Sequence, residues 1–366
     1  MSDNPYSNLP SKAFWRPSVA DRSYFAIEGL WDPKFEIRKG MKVSTYGSCF
    51  AQHIGQALRR RGFNWHISET APDSLSAQSK KNFNYEIFSS RTGNIYTTSL
   101  LKQWTEWALG ESNPPEEYWT KDGRFYDPFR PAIEPEGFAS LEEMLASRAH
   151  ALACFRDSFE NVNVFVFTLG LTELWMNKAK GYEYPMCPGT VAGEFDPENH
   201  VFENMTVNTV RENLVAAIKL MRSVNPRLRF ILTVSPVPLT ASASGKHVLV
   251  ATMQSKSILR AAAGQLADKI KYIDYFPSYE IINSPVFRGS FFAPNMRSVV
   301  PEGVEFVMNG FFQCQQETFG PQETPETGGY EAEKKARKKA GKKAKAQADD
   351  LVCEEELLAA FEDGRS

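Results

Sequence analysis

The chain has 366 residues, 42% of them hydrophobic and 23% charged, and a formal net charge of −2. This balance excludes a wholly disordered chain and any molecule-wide attraction to nucleic acid or anionic lipid. The longest apolar stretches, 162–171 and 230–237, are too short to span a bilayer, and residues 1–22 lack the apolar run of a signal peptide.

The cytoplasm is therefore the expected compartment. Five cysteines (Cys49, Cys154, Cys187, Cys314 and Cys353) with no CxxC spacing argue against both a disulfide framework and a zinc ribbon. No spacing of His, Asp or Glu predicts a metal site, and no phosphate-binding glycine loop is present, so no cofactor is expected.

Residues 1–40 carry Phe14, Trp15, Tyr24, Phe25 and Trp31 among prolines without periodicity, which reads as an arm packed on a domain. That domain is expected over residues 41–312. Within it, residues 42–46 read as a strand followed at once by a helix over 51–61. Residues 162–169 (VNVFVFTL) are a continuous β-branched and aromatic run, as in a strand buried on both faces. Val210, Leu214, Ile218 and Met221 recur at helical spacing, so 207–224 is an amphipathic helix. A second buried strand over 229–234 stops at Pro236 and Pro238, followed by a helix over 255–269, a short strand over 271–275 and a last helix over 303–312.

Beyond 312 a low-complexity tail is expected to be largely disordered. It turns Gln-, Thr-, Pro- and Gly-rich from Glu317, then carries a lysine stripe (Lys334, Lys335, Lys338, Lys339, Lys342, Lys343) and ends in an acidic, amphipathic segment from Asp349. A functional reading of this tail is transient contact with an anionic surface or partner; the plainer one is a solvated extension.

Strand–helix alternation of this kind implies a three-layer α/β/α sandwich with a mostly parallel, flavodoxin-like sheet. In such sheets, sites form beyond the carboxyl ends of the strands. Ser48, Gly170 to Glu173, the 236–247 loop and the segment after Asp274 satisfy that rule. Ser48 directly follows the first domain strand, where helix N-terminal amides could stabilise an alkoxide or oxyanion, and Gly47 allows a tight turn. The plainer role for such a serine is helix capping. Cys49 and Cys187 could supply a thiolate, but packing cysteines are the simpler reading.

The string Gly47-Ser48-Cys49-Phe50-Ala51 resembles the name-giving motif of the GSCFA family, grouped with the SGNH/GDSL hydrolases. The resemblance continues in order through Arg91-Thr92-Gly93-Asn94-Ile95-Tyr96-Thr97, Thr168-Leu169-Gly170-Leu171-Thr172-Glu173, Cys187-Pro188-Gly189-Thr190, Ser235-Pro236-Val237-Pro238-Leu239, Ser255-Lys256-Ser257 and Tyr275-Phe276-Pro277-Ser278-Tyr279-Glu280. It implies an SGNH-type domain with Ser48 as nucleophile, and an oxyanion hole drawn from the Ser48 and Gly93 amides with Asn94, Gly170 or Thr172. Two departures stand out. Thr172 lies where the superfamily usually places an asparagine, and Asn295-Met296-Arg297-Ser298 lies where an Asp-x-x-His pair is usual.

A base must therefore come from elsewhere, since an unassisted serine is a poor nucleophile near neutral pH. Of five histidines, His53 lies about 140° around the helix from Ser48, and His66 and His150 suit surface or packing roles. His247, in the loop after 229–234, is the expected base, with His200 second and Asp274 or Glu280 as the orienting carboxylate. The expected activity is hydrolysis of an O-acyl ester, an O-acetyl carbohydrate in particular. An O-acyltransferase and a catalytically silent binding protein are the alternatives.

Overall fold

The computed structural model describes residues 4–322 and 354–361, which fall into two units: 39–279 with 354–361, and 4–38 with 280–322. The larger unit contains, in chain order, β1 (Val43–Gly47), α1 (Ala51–Arg60), α2 (Ala77–Asn82), α3 (Thr98–Leu109), β2 (Trp119–Lys121), β3 (Arg124–Tyr126), α4 (Leu141–Glu160), β4 (Val164–Leu169), β5 (Glu173–Asn177), β6 (Glu183–Tyr184), β7 (His200–Asn204), α5 (Val207–Val224), β8 (Arg229–Val234), α6 (Val248–Lys269) and β9 (Ile273–Tyr275). Helix α7 (Ser278–Asn283) follows, and α8 (Pro301–Phe319) belongs to the smaller unit.

The central sheet has the order β1-β4-β8-β9 and every pairing is parallel. Parallel neighbours need helix-length crossovers, and these place helices on both faces. On one face Tyr46, Phe165, Phe167, Phe230 and Leu232 share a core with Trp104 of α3, Phe155 of α4, Leu214 of α5 and Leu259 of α6. On the other, Trp65 donates its indole N–H to Thr45 Oγ1 at 3.0 Å and lies against α1, where a side chain at Gly55 would run into the indole ring. Because both faces are covered, β4 and β8 are continuous apolar runs rather than alternating ones.

The α/β/α architecture expected from the sequence is the one observed. Several elements were not legible. Helices α3 and α4 start at side-chain caps: Thr97 Oγ1 accepts from Leu100 N at 3.0 Å and Ser140 Oγ from Glu143 N at 3.2 Å. A three-stranded antiparallel sheet, β6-β5-β7, is inserted between β4 and α5. Helix α6 begins at Val248 rather than 255, and its first two turns expose Leu249, Val250 and Met253, which breaks the amphipathic pattern that marks the rest.

In the smaller unit the aromatic arm has a definite partner. Trp31 stacks on Phe311 of α8 at 5.0 Å, Phe25 meets Phe291 and Phe306, and Gln315 bonds both Ile37 N and Phe35 O. Helix α8 continues past Phe312 to Phe319 and ends at Gly320, whose φ is +88°. The lysine stripe lies outside the described residues. Part of the acidic segment does not: residues 354–361 form a short 3₁₀ helix in the larger unit.

Candidate functional site

At the end of β1, Gly47 has φ +128°, and a side chain there would collide with the Thr168 peptide group. Glycine thus lets β1 close on β4 and turn outward in one step. The next amide, Ser48 N–H, donates to Thr168 O at 3.0 Å, and Ser48 O accepts from Ala51 N at 2.9 Å. Phe50, not Ser48, occupies the N-cap of α1, without any side-chain capping bond. Ser48 is 2% exposed, and its hydroxyl has no hydrogen-bond partner among the described residues. The capping role is therefore ruled out. So is the expected use of the Ser48 amide at an oxyanion, because that amide already serves the sheet.

Two segments close around this serine. The Arg91–Thr97 loop crosses the end of β1, with Ile95 N donating to Gly47 O at 3.0 Å. Gly170, just beyond β4, donates its N–H to Tyr96 O at 2.9 Å. A methyl on Gly170 would stand 3.1 Å from Ser48 Cβ and 3.0 Å from the Tyr96 ring, so only glycine fits without displacement. Ser48, the Ile95–Tyr96 backbone and Gly170 thus converge at the carboxyl edge of the sheet. Gly93 N–H donates to no backbone oxygen among the described residues. Asn94 is buried beside it.

The loop is clamped from both ends. Arg91 N donates to Glu69 Oε2 at 2.7 Å, and its guanidinium bonds Phe83 O, Ile133 O and Glu134. Arg91 O accepts from Arg130, part of a buried cluster with Asp127 and Arg148. Burial opposes a charge on Asp127, but the two guanidiniums outweigh it and hold its carboxyl below the ordinary range. At the other end, Thr97 and Ser99 donate to Glu183, whose burial pushes its carboxyl up to about 7 despite those hydrogen bonds.

The turn after β4 is held by α6. Thr172 N donates to Ser255 Oγ at 3.1 Å, and Thr172 Oγ1 donates to Asn204 Oδ1 at 2.7 Å. The hydroxyl expected at the oxyanion hole is thus engaged on β7. Lys256 is 1% exposed, and its ammonium donates to Gly170 O at 2.7 Å. This lysine belongs to the Ser255-Lys256-Ser257 block, but no role for it could be read from the sequence. A hydrophilic triplet inside an apolar helical stretch was the available signal.

The expected bases lie elsewhere. His247 is exposed and caps α6, its Nδ1 accepting from Leu249 N at 3.2 Å. His200 stands at the start of β7, paired with Asn177, and its Nδ1 accepts from Asp196 N at 3.0 Å. Since the Ser48 hydroxyl has no partner, neither imidazole touches it. His53 lies against Phe50, and His150 lies beside Cys154 on α4. His66 pairs with Asp157 at 2.6 Å, at the opposite end of β1. Asp274 is buried on β9, accepting from Tyr275 N, and Glu280 is partly buried on α7, in the smaller unit. In the smaller unit, Asn295 folds into a side-chain turn that bonds Arg297 N and Ser298 N.

Burial raises the Cys187 thiol to about 11, which disfavours a thiolate nucleophile at neutral pH. No group of three His, Cys, Asp or Glu residues that could hold a metal ion occurs among the described residues. Likewise, no helix among them is long and apolar enough to cross a membrane.

Among solved structures, the chain is similar to a mutant acetyl esterase crystallised with acetate ion, at 11% identity over 61% of this chain and 92% of that one, with a TM-score of 0.25. It is also similar to the periplasmic domain of a lipopolysaccharide acetyltransferase from Salmonella ser. Paratyphi A, at 12% identity over 72% and 95%, with a TM-score of 0.26. Likeness at those scores carries no argument about chemistry. No curated protein matches the chain. The profile of the GSCFA family, by contrast, matches residues 42–311, which takes in β1, the clamped loop, the turn after β4 and the Lys256 block, and the chain belongs to that family.

Proposed function

We propose that this chain is a serine-dependent acyl-ester hydrolase in which Ser48 attacks the ester carbonyl. The observation that carries this reading is the Ser48 hydroxyl: it has no hydrogen-bond partner among the described residues and sits at the carboxyl edge of a parallel sheet, beside the loop that carries Gly93. A buried hydroxyl with no bonding role in the fold is costly to keep for stability alone. Gly93 N–H, with the Asn94 side chain beside it, would hold the oxyanion. Lys256, whose ammonium donates to the carbonyl of the glycine that packs against Ser48, would hold that turn in position. The substrate class put forward is an O-acyl ester, with an O-acetyl carbohydrate the foremost case.

The decisive experiment compares wild type with Ser48→Ala on p-nitrophenyl acetate and follows fluorophosphonate labelling of Ser48. Loss of both in a folded variant supports the reading; unchanged turnover removes Ser48 as nucleophile. Product analysis with an added sugar acceptor identifies an acyltransferase, because only transfer makes a new ester. A second reading, a silent binding protein, is favoured by one observation: no imidazole among the described residues reaches Ser48, which is 2% exposed. Glycan binding by a protein that no serine probe labels would establish it.

A further inference from the structure

The acidic segment near the C-terminus packs on the loop that carries Gly93 and Tyr96. Glu354 and Glu355 are buried, at 3% and 8% exposure, while Leu357 and Phe361 point outward at 43% and 60%. A Cβ on Gly93 would lie 2.8 Å from Glu354 Oε1, so this carboxylate rests directly on the glycine that offers its amide. Glu355 N donates to Tyr96 OH at 3.2 Å, and Glu355 Oε1 accepts from Thr240 N at 2.8 Å. The segment therefore bridges two loops, one crossing β1 and one following β8. It is seated by Glu354 and Glu355, while Glu356, Leu357 and Phe361 are exposed and Leu358 is half-buried. A segment that packed only for stability would bury Leu357 and Phe361 ahead of Glu354 and Glu355.

We propose that residues 354–361 are a built-in ligand of the cleft. On this reading the Glu354 carboxylate stands in for the carboxylate or oxyanion of an acyl group at Gly93, and the segment must leave before an ester can enter. This rests on the acyl-transfer reading for its meaning, but docking can be measured without it. Because the ligand is tethered to the same chain, it acts at a high effective concentration, and a modest intrinsic affinity suffices to keep the cleft filled. The same recognition makes the cleft a binding site for acidic peptides supplied in trans.

The test uses the full chain and its Glu354→Ala/Glu355→Ala variant, followed in parallel by hydrogen exchange and by fluorophosphonate labelling. Wild type is expected to protect residues 93–97 and 354–361. The variant should lose both protections and label about tenfold faster, as for a site open in about a tenth of wild-type molecules. A synthetic peptide of residues 351–361, added to the variant, should restore protection at 93–97. Absence of protection at 354–361 in wild type overturns the proposal, as do equal labelling rates in two proteins that both label. If neither protein labels but the peptide restores protection, the docked segment stands and the serine chemistry falls.

Discussion

The Lys256 ammonium lies 2.7 Å from the Gly170 carbonyl, and Gly170 in turn packs against Ser48 so closely that a methyl there would have to displace its neighbours. One buried cation thus fixes the glycine that shapes the serine's surroundings. Lys256→Met leaves that carbonyl without its donor, at a cost of about 1–3 kcal/mol in chemical denaturation. It should also lower turnover of p-nitrophenyl acetate. His247→Ala, which removes only the α6 cap, should cost about 0.5–2 kcal/mol and leave turnover in place. The opposite pattern, with turnover lost in His247→Ala and kept in Lys256→Met, would restore the histidine as base.

Gly170→Ala is a separate test of the close approach. Its methyl would stand 3.1 Å from Ser48 Cβ and 3.0 Å from the Tyr96 ring, tighter than ordinary contact. Overpacking of this kind costs about 1–3 kcal/mol. The neighbours most exposed to the strain are Ser48 and Tyr96, so labelling of Ser48 should fall more than stability does. Urea titration alongside labelling kinetics measures the two together.

Glu183 gives the larger unit a pH dependence. Its carboxyl is raised by burial from the ordinary 4.5 to about 7, so the folded state holds this proton more tightly than the unfolded state. The stability this confers is present in full below about 4.5 and is lost as pH rises to about 7, with a slope of up to about 1.4 kcal/mol per pH unit. Glu183→Gln should flatten that part of the stability–pH curve. A slope that survives the substitution would assign the effect to another group.

The Asp127 cluster predicts a steep loss. Asp127→Ala leaves Arg130 and Arg148 buried without their counter-charge, at a cost of about 3–5 kcal/mol. Because Arg130 also holds Arg91 O, the loop carrying Gly93 should loosen, and hydrogen exchange at residues 92–96 should accelerate more than at β8.

Much of the fold was legible because burial on both sheet faces imposes unbroken apolar runs, as in β4 and β8. Helix α5 was legible because its buried stripe, Val210, Leu214, Ile218 and Met221, repeats at helical spacing. The inserted sheet β6-β5-β7 was not, because β5 mixes polar and apolar residues whose burial depends on partners far along the chain. The strand-end positions of Gly47, Ser48 and Gly170 could be read, since a strand end followed by glycine has a local geometric meaning, whereas Gly93 was named only through the family resemblance. The base could not. Hydrogen-bond reach is a property of three-dimensional position, and His247 proved to be engaged by a backbone amide two residues away.

The sequence by itself determined the parallel sheet and the strand-end placement of Ser48, because apolar period and glycine geometry act over a few residues, and its ordered motifs carried the family resemblance. Only the tertiary structure decided which donors were already taken: the Ser48 amide by Thr168, and the Thr172 hydroxyl by Asn204. It alone brought Lys256 onto Gly170 and Glu354 onto Gly93. Such pairings join residues far apart in the chain, and their energy depends on distance and burial, which no local pattern encodes.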